Sequence, residues 1–413
     1  MKKLFKFLLI ILFGPICLLI VLLRPIVFIR FGIFQSTRIG GLSGQAYIYQ
    51  CLKKENKRSK IKFFDILSYE SEGVCNKQLA NMVSRQVKIF PFPKLIQLII
   101  YSLKFWLKNQ YIWNNKFFKE YEKGVRPHVI RFSGQPTEGD YYLTNNQIFN
   151  FTQNEKNKAI DMLYHMGIKK NDKWVCIHNR DSKYLNTAYP DIADWTVHDY
   201  RNYDIDSMIS TCEYYLSNNY HVIRMGKNAK NAIKFKHPRL IDFPFSDFQN
   251  DLLEIYLLSN CSFFIGSTSG ISMIPFIFKK PVLFTNQAPI DILSGLKHNH
   301  FLCILKLWFD SNSNKILSLN EIFSRNLDKL CDTKLFSASK IKLIENTSDE
   351  ILQASIELKK RKDNSWEEND ENKELQKHFW NIVEKYKDKN VFKEHNLFIS
   401  SYFLKKHKDL LFK

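Results

Sequence analysis

The sequence lacks the short motifs that mark several large enzyme classes. It has no G-x-x-x-x-G-K-[ST] loop, no G-x-G-x-x-G run after a predicted strand and no H-E-x-x-H pair. These motifs bind nucleotide phosphates, a dinucleotide and a catalytic zinc ion, respectively. Their absence argues against three function classes: a Walker-type ATPase, an ordinary dinucleotide oxidoreductase and a zinc protease.

Paired cysteines are also missing. Zinc sites need closely spaced ligands and small secreted scaffolds need a dense cysteine framework, whereas the cysteines of this chain are scattered and none form a C-x-x-C pair. We expect a reducing, cytosolic compartment and no metal site. The eight cysteines are Cys17, Cys51, Cys75, Cys176, Cys212, Cys261, Cys303 and Cys331.

Acidic residues are too few to balance the basic ones. Sixty-one Lys and Arg against 41 Asp and Glu give a formal net charge of +20. Such a surface attracts nucleic acid, anionic lipid or phosphorylated ligands. No nucleic-acid recognition motif accompanies the charge, so we expect no nucleic-acid partner and favour a phosphorylated ligand and an anionic membrane surface.

The chain has enough apolar residues for two cores. Its 413 residues are 45% hydrophobic and 15% aromatic, which indicates a globular protein of about two domains. We predict four parts: a membrane anchor (1–24), an N-terminal domain (25–168), a C-terminal domain (169–345) and a helical extension (346–413).

One long apolar run lies at the amino terminus. Residues 7–23 carry no charge, at the short limit for crossing roughly 30 Å of hydrocarbon. No small-residue cleavage site follows, so we expect an anchor rather than a signal peptide. Gly14 and Pro15 interrupt the run, which favours a bent, shallow or re-entrant insertion over a span. A buried core helix is the alternative.

Two further segments suit a membrane surface. Residues 53–62 contain six basic residues and one acid, and residues 94–119 mix aromatic and Lys positions at helical spacing. The alternatives are a solvated loop for the first segment and a core-facing helix for the second.

The chain from Trp174 onward alternates between apolar strands and helices. Continuously apolar strands separated by helices predict a parallel sheet covered on both faces. The amino-terminal half begins in the same way, with a strand at 25–34 followed over 36–54 by a glycine-containing turn that leads into a helix. Two more strands are expected at KFFDIL and RQVKIF. The predicted strands of the second half are WVCIH, HVIRMG, RLIDF, SFFIG and PVLFT.

A glycine- and hydroxyl-rich loop follows the SFFIG strand. We expect a helix to start at once after it, so that backbone N–H groups, hydroxyl donors and the helix dipole converge on a phosphate. The alternative is a plain helix cap and a tight turn. The phosphate-binding candidates are Ser267, Thr268, Ser269 and Gly270.

Charged residues follow the WVCIH strand at the same predicted sheet edge. Arg180 offers a planar fork of donors for a diphosphate, and Asp181 could orient it or accept a ribose hydroxyl. His178 and Asp181 are the catalytic candidates. A structural ion pair and a core histidine are the alternatives.

A third strand end adds Arg224 and Lys227. We expect Arg180 and one of these two to bind phosphate, while the remaining cations, including Arg201, neutralise local acids. Ser246 or Asp247 is the expected N-cap of the helix that follows. In the first half, the turn with Arg38, Gly40 and Gly41 is an acceptor-side candidate, and packing alone is its alternative.

Together these motifs resemble a family of predicted bacterial glycosyltransferases of surface-polysaccharide synthesis. The similarity covers most of the chain from about residue 30, and it is weaker to lipopolysaccharide heptosyltransferases and to O-fucosyltransferases. This chain has Gly41 where a His is common in the family. The motifs are FG-x-F-x-S-x-RIG, VCIH-x-RD, HDYRN, VIRMGK, FFIG-x-TSG, LQ-x-x-FW and FLKKHKDLL.

The resemblance implies an α/β, GT-B-like fold: two Rossmann-like, doubly wound domains facing a cleft, here with a membrane anchor. It further implies a metal-independent enzyme without a cofactor that moves a sugar from a nucleotide-sugar to a lipid-linked or polymeric glycan acceptor. The anchor places it at the cytoplasmic face of the inner membrane. The alternative is an inactive binding or scaffold protein of a polysaccharide assembly complex. Asp65, Asp140 and Glu155 are available as the base in the first half.

Overall fold

The computed structural model describes residues 2–55, 63–107, 112–113, 128–132, 148–290, 301–386 and 397–413 and divides into two units. Within the described residues, the first unit ends at Thr152 and the second begins at Gln153. We expected the boundary at 168/169. The helix Gln153–His165 therefore belongs to the second unit, and Gly167, with φ +80°, follows its end.

The first unit is built on a parallel sheet of four strands in the order β2-β1-β4-β3. The expected strands at 25–34 and KFFDIL are confirmed as β1 and β2. RQVKIF is not a strand but makes a single bridge at Ile89, so that prediction is wrong. The strands are β1 (Phe28–Phe34), β2 (Phe63–Tyr69), β3 (Ile112–Trp113) and β4 (Val129–Arg131).

Successive side chains of β1 point to opposite faces of this sheet, and both faces are covered. Phe34 packs edge-on against Tyr49 of the helix after β1, while Phe31 packs in a cluster with Ile96 and Leu103 from the helix after Phe92. Helices on both faces of a parallel sheet are the predicted architecture. The described helices of this unit are α1 (Lys2–Leu12), α2 (Gly14–Leu22), α3 (Ile39–Glu55), α4 (Lys77–Ser84) and α5 (Pro93–Trp106).

The apolar amino-terminal run forms two short helices, α1 and α2, which are separated at Phe13. Among the described residues, no helix has both the length and the apolar character needed to cross a membrane. The helix expected over 94–119 ends at Trp106, and Ile112–Trp113 is a strand instead. Most of the basic run 53–62 and the polar stretch 133–146 lie outside the described residues.

The second unit contains a parallel sheet of seven strands in the order β14-β10-β9-β8-β5-β6-β7. All five strands predicted from Trp174 onward are confirmed in it as β5 to β9. The strands are β5 (Lys173–His178), β6 (Tyr220–Arg224), β7 (Leu240–Asp242), β8 (Phe263–Gly266), β9 (Val282–Gln287), β10 (Phe301–Leu305) and β14 (Leu397–Ile399).

The chain reverses its direction of travel across this sheet between β5 and β8. From β5 it moves outward through β6 to β7, and it then returns to the other side of β5 and continues through β8, β9 and β10. Two neighbouring loops leave the sheet on opposite sides at such a point and open a crevice at the carboxyl ends of the strands. The loops after β5 and β8 are the two with the strongest sequence signals.

The second unit also contains α-helices among its described residues. They are α6 (Gln153–His165), α7 (Lys183–Ala188), α8 (Ile209–Ser217), α9 (Asp251–Asn260), α10 (Met273–Ile277), α11 (Leu319–Ser324), α12 (Thr333–Ala338), α13 (Ser348–Lys362), α14 (Asp370–Tyr386) and α15 (Ser401–Leu411).

The carboxyl-terminal region is integrated into this unit rather than being a separate extension. Its strand β14 pairs with β10, and the side chain of Gln376 on α14 bonds both backbone groups of Ile399. Buried Glu350 of α13 accepts a hydrogen bond from His407 of α15 at 2.7 Å. A small antiparallel sheet, not predicted, precedes this region and contains β11 (Leu307–Asp310), β12 (Lys315–Ile316) and β13 (Ile341–Ile344).

The cap of α9 differs from the expected one. Asn250, and neither Ser246 nor Asp247, accepts the hydrogen bond from the Leu253 N–H at 2.8 Å. The helix therefore starts later than predicted, because residues 246–248 form a bend and a turn and the chain becomes helical only from Asp251.

Replacing Asn250 with Ala should lower the free energy of unfolding by about 1 kcal/mol, because the first turn of α9 loses its side-chain acceptor. Urea unfolding of the full chain measures the change. The matched control is Asp247→Ala, at the exposed position that the sequence proposed as the cap. Equal destabilisation by both substitutions would contradict the assignment.

Candidate functional site

The ends of β5 and β8 lie side by side in the second unit. His178 pairs with Gly266, the last residue of β8. A Cβ atom built on Gly266 would lie 2.3 Å from the carbonyl oxygen of His178, so only glycine fits there. This close approach brings the loop after β5 against the loop after β8.

The predicted phosphate loop is bound to the neighbouring chain segments. Ser267 Oγ accepts from the backbone N–H of Arg180 at 3.2 Å, and Thr268 Oγ1 bonds the side chain of Gln287 at the end of β9. Ser269 Oγ is buried and has no hydrogen-bond partner. Gly270 is exposed and accepts from Met273 N at 3.3 Å.

The helix after this loop does not start at once, as expected. It begins at Met273 and has only five residues, because residues 270–272 form turns instead. The expected helix dipole therefore does not start at this loop. The candidate ligands for a phosphate are the side-chain and backbone donors of the loop itself.

Arg180 is buried beside this loop, with an exposed fraction of 6%. Its Nη1 bonds the side chain of Asn202 and lies 3.7 Å from Asp199 Oδ1, whereas its Nη2 is buried without a hydrogen-bond partner. Burial, together with the nearby positive charge of Arg201, lowers the pKa of Arg180 to about 10. A buried donor without an acceptor is costly, and an incoming anion would remove that cost.

Arg201 is the second cation of this group. It ends the 3-10 turn Trp195–Arg201, and its Nη1 donates to the Thr268 carbonyl oxygen at 3.4 Å. Its buried Nε has no hydrogen-bond partner, and burial lowers its pKa. The HDYRN motif had drawn attention to this residue, although we expected it to neutralise an acid.

Lys306 is the third cation, and no sequence motif had pointed to it. It follows β10 directly, is 4% exposed, and donates through Nζ to the Asn202 carbonyl oxygen at 2.9 Å. Glu345 Oε1 lies 4.0 Å from the same Nζ. Burial lowers the pKa of Lys306 to about 8.

Asn202 links these cations, since its side chain accepts from Arg180 and its carbonyl oxygen accepts from Lys306. Three cations thus share one small region with two carboxylates, Asp199 and Glu345, and neither carboxylate is closer than 3.7 Å to the cation it pairs with. We call Arg180, Arg201, Lys306 and Ser269 the anion cluster. Asp181 is a third carboxylate near Arg180, so the cations are not in excess, and it is the unpartnered donors of the cluster that suit a multiply charged anion such as a diphosphate.

The other two predicted phosphate ligands are engaged by protein groups. Arg224 is 1% exposed and donates to the Asn231 carbonyl oxygen at 2.6 Å and to Asp242 at 3.3 Å. Lys227 forms ion pairs with Asp251 at 2.8 Å and Glu254 at 3.2 Å. We expected one of these two cations to bind phosphate, but both pair with carboxylates of the fold, and a phosphate contact of either stays a prediction.

His178 is held as a neutral imidazole. Its Nδ1 lies 2.9 Å from the carbonyl oxygen of Met225 and must donate to it, so Nε2 carries the lone pair. Burial is the main cause that lowers the pKa of His178 to about 4. The ring is therefore suited to accept a hydrogen bond and is a weak base.

Asp181 shapes the loop after β5. One carboxylate oxygen accepts from Lys183 N at 2.9 Å and the other accepts from Lys230 N at 2.8 Å. The first contact is local, and the second ties the loop to the chain that follows β6. Neither of these hydrogen bonds is the predicted contact between Asp181 and Arg180. The predicted contact with a ribose and the catalytic role of Asp181 stay predictions.

The acceptor-side candidates lie at the start of α3 in the first unit. Gly40 and Gly41 are inside the helix rather than in an open turn, so that expectation is corrected. A Cβ atom on Gly41 would approach the Gln35 carbonyl oxygen at 2.9 Å, which explains this glycine by packing. Arg38 immediately precedes the helix and is half-buried.

Two of the three carboxylates considered as the base are described. Asp65 is held by Arg30, at 2.5 and 2.6 Å, and by the Tyr49 hydroxyl at 2.6 Å, which gives it a structural role in the first unit. Glu155 lies in the first turn of α6. Asp140 lies outside the described residues.

No protein-family model matches the chain, and a search of curated protein sequences finds no significant relative. Similar solved structures include a glycosyl transferase family 9 protein from Veillonella parvula (8% identity, TM-score 0.45, covering 79% of this chain and 96% of that one). ADP-heptose LPS heptosyltransferase II from E. coli has 9% identity and a TM-score of 0.39, covering 63% and 86%.

A putative UDP-N-acetylglucosamine 2-epimerase from Listeria monocytogenes is similar as well (13% identity, TM-score 0.33, covering 83% and 98%). At these TM-scores none of the likenesses is evidence for the function. The functional proposal therefore rests on the anion cluster, which lies where the strand order of the sheet reverses.

Proposed function

We propose that this chain is a glycosyltransferase that binds a nucleotide-sugar through the anion cluster of its second unit. The observation that carries the proposal is that Arg180 Nη2, Arg201 Nε and Ser269 Oγ, near the carboxyl edge of a parallel sheet, are buried donors without partners among the described residues. Ligands of open parallel sheets bind at this edge, at the point where the strand order reverses.

In sugar transfer, an acceptor hydroxyl oxygen bonds to the anomeric carbon while the bond from that carbon to the diphosphate oxygen breaks. Negative charge then grows on the departing nucleoside diphosphate. Fixed cations and donors that are already oriented stabilise this charge without reorganisation. In our proposal, Arg180 and Arg201 stabilise the charge of the departing diphosphate. Lys306, which donates to the Asn202 carbonyl oxygen, adds positive potential.

The sequence resemblance supports the finer parts of the proposal. They are a GT-B arrangement of the two units, metal independence, and an acceptor that is a lipid-linked or polymeric cell-surface glycan. The net charge of +20 and the apolar amino-terminal helices support association with the cytoplasmic face of the cell membrane. His178 serves as a hydrogen-bond acceptor in this proposal, and a carboxylate accepts the proton of the acceptor hydroxyl.

Arg180→Ala and Arg201→Ala should each weaken the binding of a nucleoside diphosphate by at least about tenfold, since hydrogen bonds to charged groups contribute about 1.5–3 kcal/mol. Calorimetry with UDP, GDP, ADP, dTDP and CDP, in buffer containing EDTA, measures this and identifies the preferred base.

The matched control is Arg239→Ala, because the Arg239 guanidinium bonds the Leu216 carbonyl oxygen in the same unit but outside the anion cluster. Folded wild-type protein that binds none of the five nucleotides would refute the donor site. Binding without sugar transfer to any acceptor would favour the scaffold protein instead.

The affinity for the preferred nucleotide should fall as the pH rises through about 8, because Lys306 then loses its proton and the anion cluster loses a charge. The sign follows from the protonated form being the one that attracts the anion. Lys306→Arg, which keeps its charge, should remove the pH dependence, and Lys306→Met should bind weakly and independently of pH over this range. An unchanged pH profile in Lys306→Arg would contradict the assignment.

A further inference from the structure

The first unit exposes a concentrated apolar surface. Thirteen of the 21 exposed large apolar side chains among the described residues lie in just two segments, 7–26 and 92–106. We call their surface the apolar helix face. Its members are Phe7, Leu8, Ile11, Leu12, Ile16, Leu18, Leu19, Leu22, Ile26, Phe92, Leu95, Phe105 and Trp106.

The three helices α1, α2 and α5 form this face as one packed group. Cys17 and Ile20 of α2 are buried in a cluster with Ile96, Ile100 and Leu103 of α5. Phe7 of α1 packs edge-on against Phe105 at a centroid distance of 5.8 Å. One side of α1 and α2 thus packs against α5, and the other side is exposed.

The side chain of Trp106 packs and forms a hydrogen bond where the chain breaks between α1 and α2. Its Nε1 donates to the Ile10 carbonyl oxygen at 3.0 Å, one of the carbonyl groups that the end of a helix leaves without an intrahelical partner. Gly14 leaves room for the indole ring, since a Cβ atom there would lie 3.2 Å from it. The half-exposed ring therefore combines an apolar body with a satisfied polar group, as tryptophans at lipid interfaces do.

The two stretches of sequence that contain the face carry charge of one sign only. Segments 1–54 and 73–119 each contain eight Lys or Arg and no Asp or Glu. Lys94 and Lys104 of α5 are exposed next to the apolar residues. Such a surface complements anionic lipid headgroups, whereas pairing with a second copy of the chain would bring two positive surfaces together.

We propose that the apolar helix face docks on an anionic phospholipid bilayer, with α1, α2 and α5 lying in the interface of one leaflet. The docking rests on the membrane association of the proposed function and specifies its mode. The apolar side chains enter the headgroup and acyl boundary, while Lys94 and Lys104 contact lipid phosphates.

Flotation of the full chain with vesicles tests this surface. Wild-type protein should float with vesicles of phosphatidylcholine and phosphatidylglycerol, and less with phosphatidylcholine alone. Leu18→Asp combined with Leu22→Asp should lower partitioning at least about tenfold, because both exposed side chains would otherwise leave water. The matched control is Leu335→Asp, at a similarly exposed leucine of the second unit.

The charge contribution is tested separately. Lys94→Glu with Lys104→Glu should reduce partitioning to the anionic vesicles by about 30-fold or more and leave the neutral vesicles unaffected. Lys170→Glu with Lys236→Glu, at two exposed lysines of the second unit, is the control.

Calorimetry on the same preparations separates this inference from the donor site. The double aspartate variant should bind nucleotide like wild type, and Arg180→Ala should float like wild type. Unchanged flotation of the double aspartate variant would overturn the proposal. The proposal would also be overturned if wild-type protein floated with neither type of vesicle and formed a dimer that the double aspartate substitution dissociated.

Discussion

The pairing of β5 with β8 is the contact on which the rest of the second unit depends. It joins the two halves of the seven-stranded sheet and requires a residue without a side chain at Gly266, since the carbonyl oxygen of His178 occupies the place of a Cβ atom. A bulkier residue would push the strands apart, a kind of overpacking that costs about 1–3 kcal/mol. The same closeness lets Ser267 bond the Arg180 backbone and fixes the loops of the candidate site against each other.

Once the two loops are fixed, electrostatics decides what they can bind. Arg180 and Lys306 are almost completely buried, so water does not solvate their charges fully, and this burial lowers the pKa of both. Other buried cations of this unit have close partners: Arg224 bonds a backbone carbonyl and Asp242, and Lys227 has two carboxylates. Arg224 also has a buried Nε without a hydrogen-bond partner among the described residues, so the difference lies in the acidic partners. Asp242 lies 3.3 Å from Arg224, whereas the carboxylates paired with Arg180 and Lys306 lie at 3.7 and 4.0 Å. An anion with several oxygens can accept hydrogen bonds from both Arg180 and Arg201.

The sequence predicted the features that depend on local pattern. The five strands from β5 to β9 were recognisable because each is a continuous apolar run, and the loops after β5 and β8 stood out because hydroxyl, glycine and charged residues follow such runs. It did not predict the features that depend on strand order. Arg224 resembled a phosphate ligand until Asp242 proved to face it from the neighbouring strand, and Lys306 had no local signal because Asn202 is distant in sequence. Residues 346–413 resembled a separate helical extension, because the pairing of β14 with β10 is a long-range contact of three residues.

The most direct test of the account is an experimental structure of the full chain with its preferred nucleoside diphosphate bound. The account predicts diphosphate oxygens within hydrogen-bond distance of Arg180 Nη2, Arg201 Nε and Ser269 Oγ, at the carboxyl ends of β5 and β8. A nucleotide bound elsewhere, with these three donors still unpartnered, would contradict it.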